Sequence, residues 1–139
     1  MMLLDEAYAR ITDAERERSF VMSDPARPDN PIVFANDAFL RLTGYARDEV
    51  MGHNCRFLQT PETDGASAAA LREAMTQPTA ITVDILNRAK DGTPFWNRLR
   101  IRPIFGDDGS LENFVGVQNP INADDVRASP LWGIASMAM

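Results

Sequence analysis

Three segments in the second half of the chain alternate apolar with polar residues, and this period of two constrains the fold more than any other feature. One side of each segment carries the following sets: Ile81, Val83, Ile85 and Asn87; Phe95, Asn97, Leu99 and Ile101; Phe114, Gly116 and Gln118. Glycines at 92 and 109 fall between the segments, where turns are needed. The pattern predicts an antiparallel meander of three strands.

The first half of the chain predicts a short hairpin followed by helices. Residues 20–22 and 32–34 are apolar runs separated by a loop rich in Pro and Asp, which favours two paired strands. Asn36 is a suitable N-cap for a helix over 37–43 that closes at Gly44. Single helical turns are expected at 47–51 and 54–58, and a longer helix at 65–75. The whole is an α+β domain.

Residues 3–18 predict an amphipathic helix, because apolar residues recur there at steps of three and four. The stripe consists of Leu3, Leu4, Ala7, Tyr8, Ile11 and Ala14. We expect a flanking helix at 1–18, a core domain at 19–119 and a loosely ordered tail at 120–139 with an apolar patch at Leu131-Trp132. Trp96, Val115 and Val117 fall on the outer sheet face, which the N-terminal helix or a second subunit would cover.

Composition excludes several classes of protein. The chain of 139 residues has 20 acidic and 14 basic side chains, and no basic cluster indicates nucleic-acid binding. Its one cysteine permits no internal disulfide and fits a reducing compartment. No apolar run approaches the roughly 20 residues of a membrane span, and no signal-peptide pattern opens the sequence. We expect a cytoplasmic protein with no membrane association and no bound metal, in which the single histidine, His53, is exposed.

Asn87, Asn97 and Gln118 are amides in phase with apolar residues, so one sheet face can carry all three. A loop over 106–109 would pair Phe105 with Ser110 and place Asn97 opposite Gln118, with Ile101 opposite Phe114. Asn87 joins them only if the other hairpin has a loop with an odd number of residues, such as 90–92 with a positive φ angle at its glycine, because a two-residue Asp-Gly turn would send Asn87 to the opposite face. We predict the three-residue loop.

Buried amides need partners, because each unpaired one costs about 1–3 kcal/mol. The edge of a planar heteroaromatic guest, with carbonyl and ring N–H groups, would provide them. The pattern alone equally allows an accidental parity, or amides that pair with one another or with water.

Residues 52–59, Gly-His-Asn-Cys-Arg-Phe-Leu-Gln, carry the most specific motif in the chain. They resemble the signature Gly-x-Asn-Cys-Arg-Phe-Leu-Gln of the LOV (light, oxygen, voltage) domains of phototropins and bacterial photoreceptors. The resemblance extends from about Phe20 to Gln118 and includes residues 23–25, 28–31, 42–45, 95–97 and 116–118. A short motif can arise by chance, whereas an ordered series over two-thirds of the chain should not.

The resemblance implies a PAS/LOV fold, in which a five-stranded antiparallel sheet and helices on one face enclose FMN. It also implies a blue-light photoreceptor, in which the sulfur of Cys55 bonds reversibly to the flavin C4a carbon. Gln118 matches the glutamine that senses flavin N5, and Asn87 and Asn97 match the pair on the pyrimidine edge. Arg56 and Arg72 match the phosphate site, and Asn54 and Gln59 match ring or ribityl contacts. The other implied cofactor contacts are Val21, Ser23, Asn30, Ile32, Leu58, Leu71, Met75, Ile85, Leu99, Ile101, Phe114 and Gly116.

The resemblance is to the short-LOV type, which would signal through its own flanks by changed dimerisation or partner binding. We expect a sensor without enzymatic activity. It would form a homodimer through the N-terminal helix and outer sheet face, and would act on a downstream protein that the sequence does not identify. The alternatives are a flavin-based redox sensor and a PAS-type dimerisation or binding scaffold without photochemistry.

Overall fold

An antiparallel sheet forms the centre of the computed structural model, which describes residues 4–127. The five strands on the main path follow the order β2-β1-β5-β4-β3, as the five-stranded prediction requires, and a short sixth strand pairs with β4. The strands are β1 (Ser19–Ser23), β2 (Ile32–Ala35), β3 (Ile81–Arg88), β4 (Pro94–Phe105), β5 (Leu111–Gln118) and β6 (Pro120–Ile121).

Two short helices precede the first hairpin, and the others lie between this hairpin and the meander or follow the meander. The helices of the described residues are α1 (Leu4–Tyr8), α2 (Asp13–Arg16), α3 (Asp37–Thr43), α4 (Arg47–Val50) and α5 (Gly65–Thr76), with 3₁₀ helices at Cys55–Leu58 and Ala123–Asp125. The predicted caps of α3 are confirmed: the Asn36 side chain accepts the Phe39 N–H at 3.0 Å, and Gly44 has a φ of 79°. Among residues 4–127, no helix has the length and apolarity that crossing a membrane requires.

The prediction of one continuous helix over 3–18 is wrong. The helix breaks after Tyr8, and α2 starts anew with Thr12 as its N-cap. The Thr12 hydroxyl accepts the Glu15 N–H at 3.1 Å, while a Glu15 carboxylate oxygen accepts the Thr12 N–H at 2.8 Å. This reciprocal pair satisfies two of the free N–H groups at the start of a new helix, so it favours a restart over continuation. Residue 3 and the predicted patch at 131–132 lie outside the described residues.

The β3–β4 hairpin has the predicted three-residue loop. The Ala89 N–H donates to the Thr93 carbonyl at 2.9 Å, which leaves 90–92 as the loop, and Gly92 has a φ of 91°. Ile85 therefore pairs with Asn97. This register points the Asn87 and Asn97 side chains to the same face.

The predicted register of β4 against β5 is wrong by two residues. Ile101 lies opposite Gly116 instead of Phe114, and Arg100 lies opposite Val117. Asn97 is consequently not opposite Gln118 but pairs with Pro120 of β6. An irregularity between Ile104 and Phe105 lies beside the turn, where Phe105 pairs with Leu111. Because the displacement is an even number, Gln118 still faces the same side as the two asparagines.

The sheet has two differently covered faces. On the inner face, Leu71 of α5 packs against Val83, Ile85 and Leu99, and a second cluster joins β1 and β2 to α3, α4 and the 3₁₀ helix Cys55–Leu58. On the outer face, the N-terminal segment covers a cluster that includes the predicted Val115 and Val117. The outer cluster is Ala7, Ile11, Phe20, Met22, Ile104, Val115 and Val117.

Candidate functional site

A cavity of about 160 Å³ lies between the inner sheet face and the helices. It brings together every residue that the sequence predicts for the site except Ile32. The lining residues are Val21, Ser23, Asn30, Asn54, Cys55, Arg56, Leu58, Gln59, Ala68, Leu71, Arg72, Met75, Ile85, Asn87, Asn97, Leu99, Ile101, Phe114, Gly116 and Gln118. Ile32 is instead 1% exposed in the cluster beside the cavity, where it packs with Val21 and Leu58.

Ala68 lines the cavity but is not among the predicted site residues. It belongs to the face of α5 that also presents Leu71, Arg72 and Met75. These four residues stand at positions i, i+3, i+4 and i+7, which is the spacing of one helical face. Extending that periodicity by one turn would have identified Ala68 from the sequence.

The segment that carries Cys55 is held at both ends. Asn54 is the N-cap of the 3₁₀ helix, and its Oδ1 accepts the Arg56 N–H at 3.0 Å. The other side-chain group of Asn54 donates from Nδ2 to the Asp29 carbonyl at 2.8 Å. Beyond the helix, the Gln59 backbone bridges to Asn87 of β3. These contacts hold the backbone of the segment that carries Cys55 between the β1–β2 loop and β3.

Cys55 is half-buried and lines the cavity. Burial raises the pKa of its thiol to about 12. A thiolate is poorly solvated in apolar surroundings, so the neutral form is favoured. The sulfur therefore keeps its proton at physiological pH.

The three amides form a partly satisfied polar edge along the cavity. Asn97 Nδ2 donates to Asn87 Oδ1 at 3.0 Å, and Asn97 Oδ1 accepts the Asn119 N–H at the same distance. Gln118 accepts from the Ser19 hydroxyl at 2.7 Å and donates to the Gly116 carbonyl at 3.2 Å. Asn97 and Gln118 thereby each use one amide hydrogen and one oxygen lone pair. In each side chain, the second amide hydrogen and the second lone pair remain for a guest molecule.

A family profile described as "PAS domain" matches residues 18–122, most of the chain. Two solved structures resemble the fold at a TM-score of 0.77. One, described as "Flavin Analogue Sheds Light on Light-Oxygen-Voltage Domain Mechanism", is 42% identical, with 90% of this chain and 87% of that chain covered. The other, "The dark structure of the blue-light photoreceptor Aureochrome1 LOV", is 36% identical, with 99% and 94% covered.

The chain is a LOV domain of the PAS family.

Curated relatives agree with this assignment. Phototropin-2 of Oryza sativa subsp. japonica is 49% identical over 108 residues, and blue-light-activated histidine kinase 1 of Erythrobacter litoralis is 48% identical over 107. Both matches cover 77% of this chain. The chain spans only 12% of the phototropin and 30% of the kinase, so the match concerns a limited part of each relative.

The residues of the LOV domain fit a flavin. Apolar side chains from both sides of the cavity suit the faces of a planar ring, and the amides of β3, β4 and β5 suit its polar edge. Asn30 Oδ1 is buried without a hydrogen-bond partner among the described residues, so it can accept from a hydroxyl of a ribityl chain. Gly116 lines the cavity without a side chain, and a Cβ added there would lie 3.6 Å from Val21 Cγ2 and 3.7 Å from Ile101 Cγ1.

Two arginines lie at the cavity wall, where a phosphate could be bound. Arg56 donates from Nη2 to Asp29 Oδ2, and this contact raises the pKa of the guanidinium and lowers that of the carboxyl. Arg72 is exposed on α5. His53, which occupies the free position of the motif, is exposed as predicted.

Proposed function

We propose that this LOV domain is a blue-light photoreceptor that binds FMN in the cavity and uses Cys55 as its photoreactive thiol. The observation that carries the proposal is the convergence of the chain's one cysteine, three sheet amides and two arginines on a single cavity. The solved relatives are described with a flavin analogue and as a blue-light photoreceptor. The role is sensory rather than enzymatic, and the cytoplasmic location expected from composition is part of the proposal.

A bound flavin would supply the absorption of blue light and a ring carbon to which the Cys55 sulfur bonds reversibly. The protein contributes a neutral thiol, held by the capped 3₁₀ helix, and a proton that this thiol can release. Asn87 and Asn97 would orient the ring through their remaining donors and acceptors. Gln118 can rotate its amide when the protonation of a neighbouring ring nitrogen changes, because its oxygen accepts and its nitrogen donates.

FMN is preferred over riboflavin in this proposal because Arg56 and Arg72 provide two cations for a phosphate. A guanidinium presents a planar fork of N–H groups that matches phosphate oxygens. Both belong to the cavity wall.

Signalling would proceed through the flanks, residues 1–18 and 120–139. Asn119, which follows Gln118, donates from Nδ2 to the Arg98 carbonyl at 3.1 Å and accepts from Arg18 through its side-chain oxygen. Arg98 in turn pairs with buried Asp84, whose Oδ2 also accepts the Arg127 N–H at 2.8 Å. Gln118 is thus joined to both flanks by a short series of neighbouring residues and hydrogen bonds. A rotation of its amide would alter these contacts, and the altered flanks would change homodimerisation or the binding of a downstream protein.

The first experiment is absorption spectroscopy of the purified chain in the dark, after a blue flash and during recovery, with Cys55→Ala alongside. We expect a flavin spectrum that bleaches reversibly in the wild type and fails to bleach in the variant. A colourless protein, or one that bleaches equally without Cys55, would contradict the proposal and favour the scaffold or the redox sensor.

Flank signalling is tested on the same samples. Amide hydrogen exchange of residues 4–17 and 119–127 is compared between darkness and continuous light, and the average mass of the protein in solution is measured in both states. We expect faster exchange in at least one flank and a changed oligomeric mass. Identical exchange and mass in both states would remove the signalling part of the proposal while leaving the photochemistry intact.

A further inference from the structure

Asp29 forms an ion pair with Arg56, one of the two arginines that line the cavity. Its carboxylate accepts from Arg56 Nη2 at 2.5 Å, and its carbonyl accepts from Asn54 Nδ2 at 2.8 Å. Asp29 has a φ of 67° and the next residue, Asn30, has a φ of 48°. These are left-handed conformations that few residues other than Gly, Asn and Asp adopt. The loop therefore places the Asp29 carboxylate beside Arg56.

This pairing has a consequence for what the cavity selects. A ligand phosphate at Arg56 would meet the negative charge of Asp29 and would have to share the guanidinium with it. A ligand that ends in a neutral hydroxyl would meet neither repulsion nor competition. Both partners of the ion pair are 58% exposed, so solvent moderates the effect without abolishing it.

We propose that Asp29 is a specificity residue: by competing for Arg56, its carboxylate lowers the preference of the cavity for phosphorylated over unphosphorylated flavin. It acts through Arg56 and is a positioning residue rather than a direct ligand. The inference rests on the proposed function, since it presupposes a flavin in this cavity. It predicts that the wild-type domain accepts riboflavin more readily than a site with two unopposed arginines would.

The test is Asp29→Asn in the full chain. Asparagine keeps the shape of the side chain and tolerates the positive φ, while removing the charge. Wild type and variant are incubated with equimolar FMN and riboflavin, washed, and the released flavins are separated by chromatography. We expect the bound FMN-to-riboflavin ratio to rise about threefold to tenfold in the variant, and the gain to shrink in high salt.

Two further variants make the result decisive. Asp29→Gly also accepts a positive φ and should move the ratio in the same direction, which guards against a folding defect in one variant. Asp37→Asn removes another exposed Asp–Arg pair, with Arg47 at 2.9 Å, whose residues do not line the cavity, and should leave the ratio unchanged.

The outcomes separate this inference from the proposed function. If both Asp29 variants still bind flavin but their bound FMN-to-riboflavin ratio is unchanged or lower, the role of Asp29 is overturned and the proposed function is not. A wild-type protein that retains neither flavin overturns the proposed function and this role with it.

Discussion

Cys55 occupies surroundings that stabilise its neutral thiol. Burial raises its pKa from the ordinary 9.0 to about 12. Because the folded-state value lies above the unfolded value, the stability contributed by the buried thiol is fully present below pH 9. It is lost as the pH rises from about 9 towards 12.

We therefore expect Cys55 to react slowly with iodoacetamide in the dark. At pH 8, a pKa of about 12 leaves roughly a thousandfold less thiolate than a pKa of 9, and the thiolate is the nucleophile. Mass spectrometry of the folded protein and of the same protein in urea measures the two alkylation rates. Rates within about tenfold of each other would contradict so large a rise in the pKa of the thiol.

Individual site residues can be predicted from the sequence where they follow the period of a strand or belong to a recognisable motif. Asn87, Asn97 and Gln118 follow the strand period, and Cys55 belongs to the motif. The ion pair of Asp29 with Arg56 has no such signal, because it depends on left-handed backbone angles in a long loop. Ile32 is expected in the cavity wall from its apolar character, which does not distinguish lining a cavity from packing next to it.

At the scale of helices and strands, the N-terminal segment that contains α1 and α2 is held on the sheet by a polar contact as well as by apolar ones. Arg102 of β4 donates to both carboxylate oxygens of Glu15 at 2.8 Å and to the Arg10 carbonyl at 2.9 Å. The hydrogen bond from Arg102 is the largest cause that lowers the pKa of Glu15, from 4.5 to about 2. Both side chains are mostly buried.

Glu15→Gln is expected to lower the free energy of unfolding at pH 7 by about 1–3 kcal/mol, because it removes a charge-assisted pair and weakens the α2 cap. A depressed pKa stabilises the fold above the unfolded value, so the difference from wild type should shrink as the pH falls from about 4.5 towards 2. Urea unfolding at pH 7 and pH 3 measures this difference in the free energy of unfolding.

Asp13→Asn is the control, since the Asp13 side chain is 99% exposed and its carboxylate lies 3.9 Å from Arg16 Nη1. An equal deficit at both pH values would show that the pair does not act through ionisation.

Element boundaries and registers are where prediction from the sequence fails. The helix break follows from a cap at Thr12, which the apolar stripe conceals. The β4–β5 register differs from the prediction by one residue at the turn, where Phe105 pairs with Leu111 instead of Ser110, and by one more at the irregularity between Ile104 and Phe105. No residue type in the sequence indicates either. The three-residue loop is predictable because the parity of Asn87 requires an odd number of loop residues and Gly92 suits the positive φ angle of such a loop.

Considered as a whole molecule, the domain covers part of its outer sheet face with its own N-terminal segment. Ala7 and Ile11 lie against the apolar residues of β1, β4 and β5. A homodimer that uses this surface directly would have to displace the segment. Association through the sheet residues of this cluster is therefore coupled to release of the N-terminal flank, whereas association through the flank itself is not.

Ile11→Asp should release that flank, because it puts a carboxylate into the apolar cluster. The uncovered face would then be a large apolar patch, which favours association. We expect a higher average mass in light scattering than for wild type at matched concentration. Ala14→Asp, at an exposed position of α2, should have no effect. An unchanged mass for Ile11→Asp would argue against the outer face as an association surface.

The turn at 90–92 also limits how such a domain can diverge in length. Each strand residue alternates between the cavity and the opposite face, so one inserted residue would turn Asn87 and Ile85 away from the cavity and Asp84 towards it, unless a bulge absorbed it. Two inserted residues would leave every side chain facing as before. Among descendants that keep the chromophore site, changes in this turn should accumulate in pairs, whereas the loop between β1 and β2 is free of that constraint.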